Sequence, residues 1–191
     1  MKWFTSDTHF GHEAILNMGY KRAFENIHVH DEVLIETINS YVGPNDILYH
    51  LGDFSWPNPK NILARIKCKD VRLIIGNHDR HVHEFKYASD VDMIKIGEQK
   101  VFLSHYPHAY WPSSHYGSFH LYGHMHMQRE RTLNDMLGVS RRSMDVGVDQ
   151  AYALFGRYRP FSEVEIMLLL NPRTGHDDLQ FYRDLENEQT R

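Results

Sequence analysis

The sequence predicts an α/β protein with two β-sheets, on three observations. In the first half, short β-branched apolar runs alternate with segments of helical period in the order β-α-β-α-β, the pattern of a mainly parallel sheet faced by helices. In the second half, four strand-like runs follow with only loops between them, which points to a second, mixed or more antiparallel sheet. Polar clusters of Asp, His, Asn and Gly fall just after predicted strands, where α/β sheets bind their ligands.

Each element has its own signal. Lys2–Thr5 reads as a first strand ending near Asp7, and Gly11–Met18 as a helical turn or two. Over Asp31–Val42, Val33, Leu34, Ile38, Tyr41 and Val42 recur at helical spacing, with Asp31 as the expected cap and Gly43-Pro44 as the stop. Ile47–Leu51 is a second strand, Lys60–Ile66 a helix and Val71–Ile75 a third strand. Val91–Ile96, Lys100–Ser104, Phe119–Tyr122 and Ser143–Val148 supply the second sheet. Phe161–Leu170 closes the domain as a helix, with Ser162 and Glu165 spaced as a capping box and Asn171-Pro172 as its end. Residues 1–171 are expected to form a single domain and 172–191 a polar tail.

At 191 residues, with 41% apolar and 24% charged residues, the chain can bury one substantial core. The net charge of -4 provides no global basic field for nucleic acid. The lone Cys68 excludes an internal disulfide framework and suggests a reducing compartment. No apolar run approaches the roughly 20 residues that span a bilayer, and the N-terminus turns polar too soon for a signal peptide, so a cytoplasmic protein with no membrane partner is expected. Histidine is abundant, at 15 residues, and position decides whether that matters.

Five stretches place metal-type ligands at strand ends. They are Asp7-Thr8-His9, Gly52-Asp53, Gly76-Asn77-His78-Asp79, Ser104-His105 and Gly123-His124-Met125-His126. In an extended segment, side chains two apart point the same way, so Asp7 with His9, and His124 with His126, are expected to serve one site together. The mixed nitrogen/oxygen set has no thiolate, which argues against a structural zinc knuckle and suits manganese, iron, zinc, nickel or cobalt. Each block alone is weak, since a lone Gly-Asp is more often a turn and a lone His more often a satisfied core residue. Five in order, each at a strand end, are hard to ascribe to chance.

In this ordered signature the chain resembles the calcineurin-like metallophosphoesterases, whose blocks run D-x-H, G-D, G-N-H-D/E, H and G-H-x-H. Met144–Asp149 and Tyr158-Arg159-Pro160 look like the closing strand of the small prokaryotic and phage-type members. The resemblance implies a four-layer α/β/β/α sandwich of two mixed β-sheets. It implies two divalent transition-metal ions, Mn²⁺ first and Ni²⁺, Fe²⁺, Zn²⁺ or Co²⁺ as alternatives. The first would take Asp7, His9, Asp53 and His126, and the second Asp53, Asn77, His105 and His124, with Asp53 bridging. His78 would be the catalytic histidine that is not a ligand, and Asp79 the acid that orients it. The implied reaction is hydrolysis of a phosphodiester or phosphomonoester by a metal-bridging hydroxide.

Residues outside the signature bear on the substrate. His12 is expected either at the metal rim or on the short helix. Arg129, Arg131, Arg141 and Arg142 leave the site's edge, and Arg141 and Arg142 are the candidates to hold a second phosphate or a nucleotide. The competing reading is a solvated loop paired with Glu130 and Asp135. Tyr106–Pro112 is an aromatic loop suited either to stacking a base or to packing over the second sheet. His81, His83, His108, His115 and His120 are expected mostly at the surface. The expected partner is a small phosphorylated substrate or a nucleotide, with nucleic acid possible and not favoured. The alternatives are a nuclease acting on strand ends and, from a different class, a non-catalytic scaffold on the same fold.

Overall fold

The computed structural model describes residues 1–18, 22–126 and 142–171. The first sheet contains β1 (Lys2–Thr5), β2 (Ile47–His50), β3 (Asp70–Ile74), β4 (Tyr87–Ser89) and β9 (Phe161–Ser162) in the order β4-β3-β2-β1-β9. The first four are parallel and β9 is antiparallel. The second sheet contains β5 (Val91–Ile96), β6 (Gln99–Ser104), β7 (Phe119–Tyr122) and β8 (Ser143–Asp145) in sequence order. There β5 and β6 form an antiparallel hairpin while β6, β7 and β8 run parallel, so both sheets are mixed, as expected.

Period-two alternation sets the layers. Phe4, Tyr49, Leu51 and Ile74 of the first sheet meet Val101, Leu103, Leu121 and Met144 of the second in one buried cluster. On the other face, Leu48, Val71 and Leu73 pack against Leu34, Ile35 and Ile38 of α1 (Ile27–Tyr41). The short α2 (Lys60–Leu63) brings Ile62 and Leu63 to the same cluster. Among the described residues, the loop after β6 covers the outer face of the second sheet. Trp111 lies 5.2 Å from the ring of His120.

Several boundaries differ from the sequence expectation. Helix α1 begins four residues earlier, because Asn26 is the cap and accepts a hydrogen bond from Val29 N at 3.0 Å. Asp31 instead accepts from Gly11 N, tying the first loop to the helix. The predicted strand Ser143–Val148 stops at Asp145, and Val148–Phe155 is a helix, α3. Met144-Asp145-Val146-Gly147-Val148 alternates like a strand, but Gly147 is extended at the helix N-cap. Phe161 and Ser162 pair with β1 before α4 (Glu163–Leu170) begins, with the Ser162/Glu165 capping box in place. Strand β4 was not foreseen. Of the histidines expected mostly at the surface, His120 is fully buried.

Candidate metal centre

All five blocks meet at the C-terminal ends of β1, β2, β3, β6 and β7. Beyond the first sheet, the β1 and β2 loops stay zipped together. Asp7 N donates to Gly52 O, His9 N to Asp53 O and Phe10 N to Phe54 O, at 2.9–3.0 Å. Thr8 lies between them and donates to Phe54 O, while the fully buried His50 donates from Nε2 to the Thr8 hydroxyl at 2.9 Å. Bringing the next loops this close requires glycine. A Cβ on Gly52 (φ +95) would run into the His105 ring, and one on Gly76 into the Asp53 carboxylate.

The ligand-bearing residues themselves are not extended. Asp7, His9, Asp53, His124 and His126 all have φ between 45° and 70°. Non-glycine residues avoid this left-handed region at a cost of about 1–3 kcal/mol each, and such residues cluster at functional sites. The turn separates His124 from His126, which an extended segment would align, while Asp7 and His9 stay together. Asp7, His9 and His126 form one group of donor atoms, and Asp53, His105 and His124 another, each with its atoms within 4.8 Å of one another. His124 and His126 therefore fall into different groups.

The two groups touch through Asp53. Its Oδ2 lies 3.6 Å from His9 Nε2 and 3.5 Å from His105 Nε2. Its Oδ1 accepts from His78 N at 2.9 Å. Asn77 Oδ1 is 3.1 Å from His105 Nε2, which places the amide with the second group. His105 donates from Nδ1 to Leu51 O, leaving Nε2 facing the carboxylates. His124 N donates to both oxygens of Asp7, and the Ser6 hydroxyl holds Asp7 Oδ2.

This donor set fits divalent cations. Asp7 and Asp53 are 1% and 2% exposed, and among the described residues their ion-pair partners are histidines only. Buried carboxylates without a fixed counter-charge are costly. Without a cation they draw protons instead. Burial depresses His105, but Asp53 and Asp7 outweigh it and raise the imidazole to about 9. His126 is raised for the same reason, with burial again opposed by the Asp149 and Asp7 carboxylates. His9 goes the other way, since burial takes it down to about 2 despite Asp53. Its Nε2 is buried with no hydrogen-bond partner. A neutral imidazole aimed at two carboxylates with an unpartnered nitrogen is what a metal ligand requires.

Sequence reasoning missed the support behind the first group. His126 donates from Nδ1 to Asp149 Oδ2 at 2.7 Å. Arg22 holds both Asp149 oxygens at 2.8 and 2.9 Å, and also donates to the carbonyls of Asp7 and Thr8 and to His30. Arg22 is 2% exposed and Asp149 6%. A carboxylate behind a histidine fixes its ring orientation and raises its basicity toward a metal. The only hint in the sequence is Asp149 following the last ligand block; nothing marks Arg22.

Two expected site residues, Asp79 and Arg142, are placed differently. The carboxylate of Asp79 accepts from Asp53 N and Gly76 N at 2.8 Å and from Phe54 N at 2.9 Å, and makes no hydrogen bond to the His78 ring. It fastens one ligand loop to another and does not orient the histidine. The half-buried His78 ring lies 5.5 Å from those of His9 and Trp56 and 6.0 Å from His12. Arg142 sits just before β8, at the end of the strand remote from the ligands, and donates to Gly117 O at 3.4 Å. Arg141, with Arg129 and Arg131, lies outside the described residues. His12 does reach the rim. It stacks on Trp56 at 4.4 Å, with Nδ1 3.3 Å from His9 Nδ1. The aromatic loop divides, with Trp111 packing over the second sheet and Tyr106 lying 4.6 Å from the His124 ring.

Residues 3–141 match the profile of the calcineurin-like phosphoesterase superfamily domain. The chain is 27% identical to the Gene 66 protein of Mycobacterium phage L5 over 183 residues, which covers 77% of this chain and 86% of that protein. It is 26% identical to the Gene 66 protein of Mycobacterium phage D29 over 200 residues, covering 87% and 94%. Among solved structures, a protein of unknown function from Aquifex aeolicus is 30% identical, covering 88% of this chain and 98% of that one, with a TM-score of 0.71.

Proposed function

Because the chain belongs to the calcineurin-like phosphoesterase superfamily, we propose that it is a metal-dependent hydrolase of phosphodiesters or phosphomonoesters, with one divalent cation in each donor group and Asp53 shared between them. The observation that carries this is the position of Asp53 Oδ2, midway between His9 Nε2 and His105 Nε2. Asp7, His9 and His126 would complete the first site, and Asn77, His105 and His124 the second. Cations bound there supply charge neutralisation on the phosphoryl oxygens and activation of water. Mn²⁺ suits the nitrogen/oxygen donors, as do Fe²⁺, Zn²⁺, Ni²⁺ and Co²⁺.

The chain's own groups do the rest. Asp53 and Asp79 lock the β2 and β3 loops together, so His78 is presented from a rigid turn, its backbone N–H donating a hydrogen bond to Asp53 Oδ1. His78 is not needed as a ligand and stands beside His9, so its imidazole is free to protonate the leaving oxygen. His12 and Trp56 wall that side, and Tyr106 the other. A panel of 4-nitrophenyl phosphate, its bis-ester, cyclic nucleotides and single-stranded DNA, each with Mn²⁺, Ni²⁺ or Zn²⁺, tests the proposal. Metal-dependent release of product from a small ester is expected. Absence of turnover from every substrate, with metals verified on the protein, would reject it in favour of a scaffold.

A further inference from the structure

Arg80 directly follows the Gly76–Asp79 turn and is exposed. Arg22, Arg65, Arg72 and Arg159 are ion-paired, whereas Arg80 has no carboxylate partner among the described residues. Its guanidinium lies over the indole of Trp56, 5.5 Å from the ring centroid. Trp56 is 46% exposed, too open to act as core packing. The same indole stacks on His12 at 4.4 Å, with the planes 13° apart, and lies 5.5 Å from the His78 ring. Trp56 is thus a plate that seats one guanidinium and one imidazole beside the candidate centre.

A cation–π contact restrains a guanidinium without using its N–H donors. Arg80 therefore offers a planar fork whose donors have no partner among the described residues, held at a fixed place, the geometry that grips phosphate bidentately. Its seat is the indole of Trp56, at the rim beside His12 and His78 and apart from the donor imidazoles and carboxylates themselves. We propose that Arg80, seated on Trp56 beside His12, is a subsite for a second phosphate, so that the preferred substrates are phosphodiesters bearing a further phosphate, such as esters of a nucleoside 3′,5′-bisphosphate. The proposal rests on the phosphoesterase reading above. It gives the anion-binding role to Arg80 and not to the expected Arg141 and Arg142.

Two chromogenic substrates with the same scissile bond test it: the 4-nitrophenyl ester of thymidine 5′-phosphate, and the same ester carrying a 3′-phosphate. With the full chain and Mn²⁺, the 3′-phosphorylated ester should have the higher kcat/KM. Arg80→Ala should lower that preference about tenfold or more, chiefly through KM, as expected for loss of charge-assisted hydrogen bonds to one phosphate. Arg80→Lys should restore only part of it, because an ammonium lacks the fork. Calorimetric titration supplies a readout that needs no turnover. Thymidine 3′,5′-bisphosphate should bind more tightly than thymidine 5′-phosphate, and Arg80→Ala should remove that difference. Equal handling of both esters, or a preference that survives Arg80→Ala, overturns the subsite while leaving the phosphoesterase reading intact. If neither ester is hydrolysed, the phosphodiesterase branch of that reading fails, and the titration alone decides the subsite by the same criterion.

Discussion

Replacing Asp149 with asparagine removes one negative charge from behind His126 and leaves the shape nearly unchanged. In the native protein that carboxylate receives His126 Nδ1 at 2.7 Å and is gripped at both oxygens by Arg22. Loss of a carboxylate behind a metal-bound histidine commonly weakens the metal about 10–100-fold. That corresponds to about 1.4–2.7 kcal/mol. The effect should be lopsided. His105, in the other group, is oriented by the Leu51 carbonyl and owes nothing to Asp149. Arg22 would also lose its buried counter-ion, and breaking such a pair costs about 3–5 kcal/mol of stability. At about 2–4 °C per kcal/mol for a chain this size, the melting point should fall by about 6–20 °C. Titration of the metal-free variant with Mn²⁺, well below that melting point, should show one equivalent weakened and the other little changed. Equal weakening of both equivalents, or of neither, would refute the assignment of Asp149 and Arg22 to one group.

Further substitutions separate the roles around Asp53. His78→Gln should lower kcat by about 10²–10⁴-fold while both metals still bind, as measured by steady-state kinetics and metal content. Asp53→Asn should lose both cations and not one, because its Oδ2 faces both groups; metal content after dialysis checks this. Asp79→Ala should act through stability, because three backbone amides lose their acceptor. The melting point should drop by about 10 °C or more, at about 1.5–3 kcal/mol for each of the three charged hydrogen bonds and about 2–4 °C per kcal/mol. A kcat loss without that drop would return Asp79 to the role of orienting His78. Stability should also depend on pH through His50, which burial holds down at about 3. Between there and the ordinary value of 6.5, the unfolded chain binds a proton that the folded chain refuses. Stability therefore falls as the pH falls through that window, by up to about 1.4 kcal/mol per pH unit. Urea midpoints at pH 7 and pH 5 should converge in His50→Gln relative to the native chain.

What was legible in the sequence followed from periodicity and from block order. The β-branched runs at Ile47–His50 and Asp70–Ile74 became parallel neighbours, and the candidate metal donors lie at their ends. Local pattern failed where a tertiary partner set the outcome. Val148 alternates with Val146 as in a strand, yet Gly147 turns the chain into α3 and carries Asp149 to the back of His126. Extended geometry was the wrong premise for Asp7-Thr8-His9 and His124-Met125-His126, because each ligand residue there adopts a positive φ that no propensity foretells. Asp79 stands next to His78 in sequence, and adjacency suggested a pair. Its oxygens are consumed instead by amides from residues 53, 54 and 76. Arg22 is distant in sequence from Asp149 and meets it only in three dimensions.

Anomalous diffraction from crystals of the full chain soaked in Mn²⁺, recorded above and below the manganese edge, would locate the cations. Two peaks should appear, one among Asp7, His9 and His126 and one among Asp53, His105 and His124, with the Asp53 carboxylate reaching both. A single peak, or manganese bound away from Asp53 while the site stays empty, would contradict the shared-carboxylate centre on which the proposed hydrolysis depends.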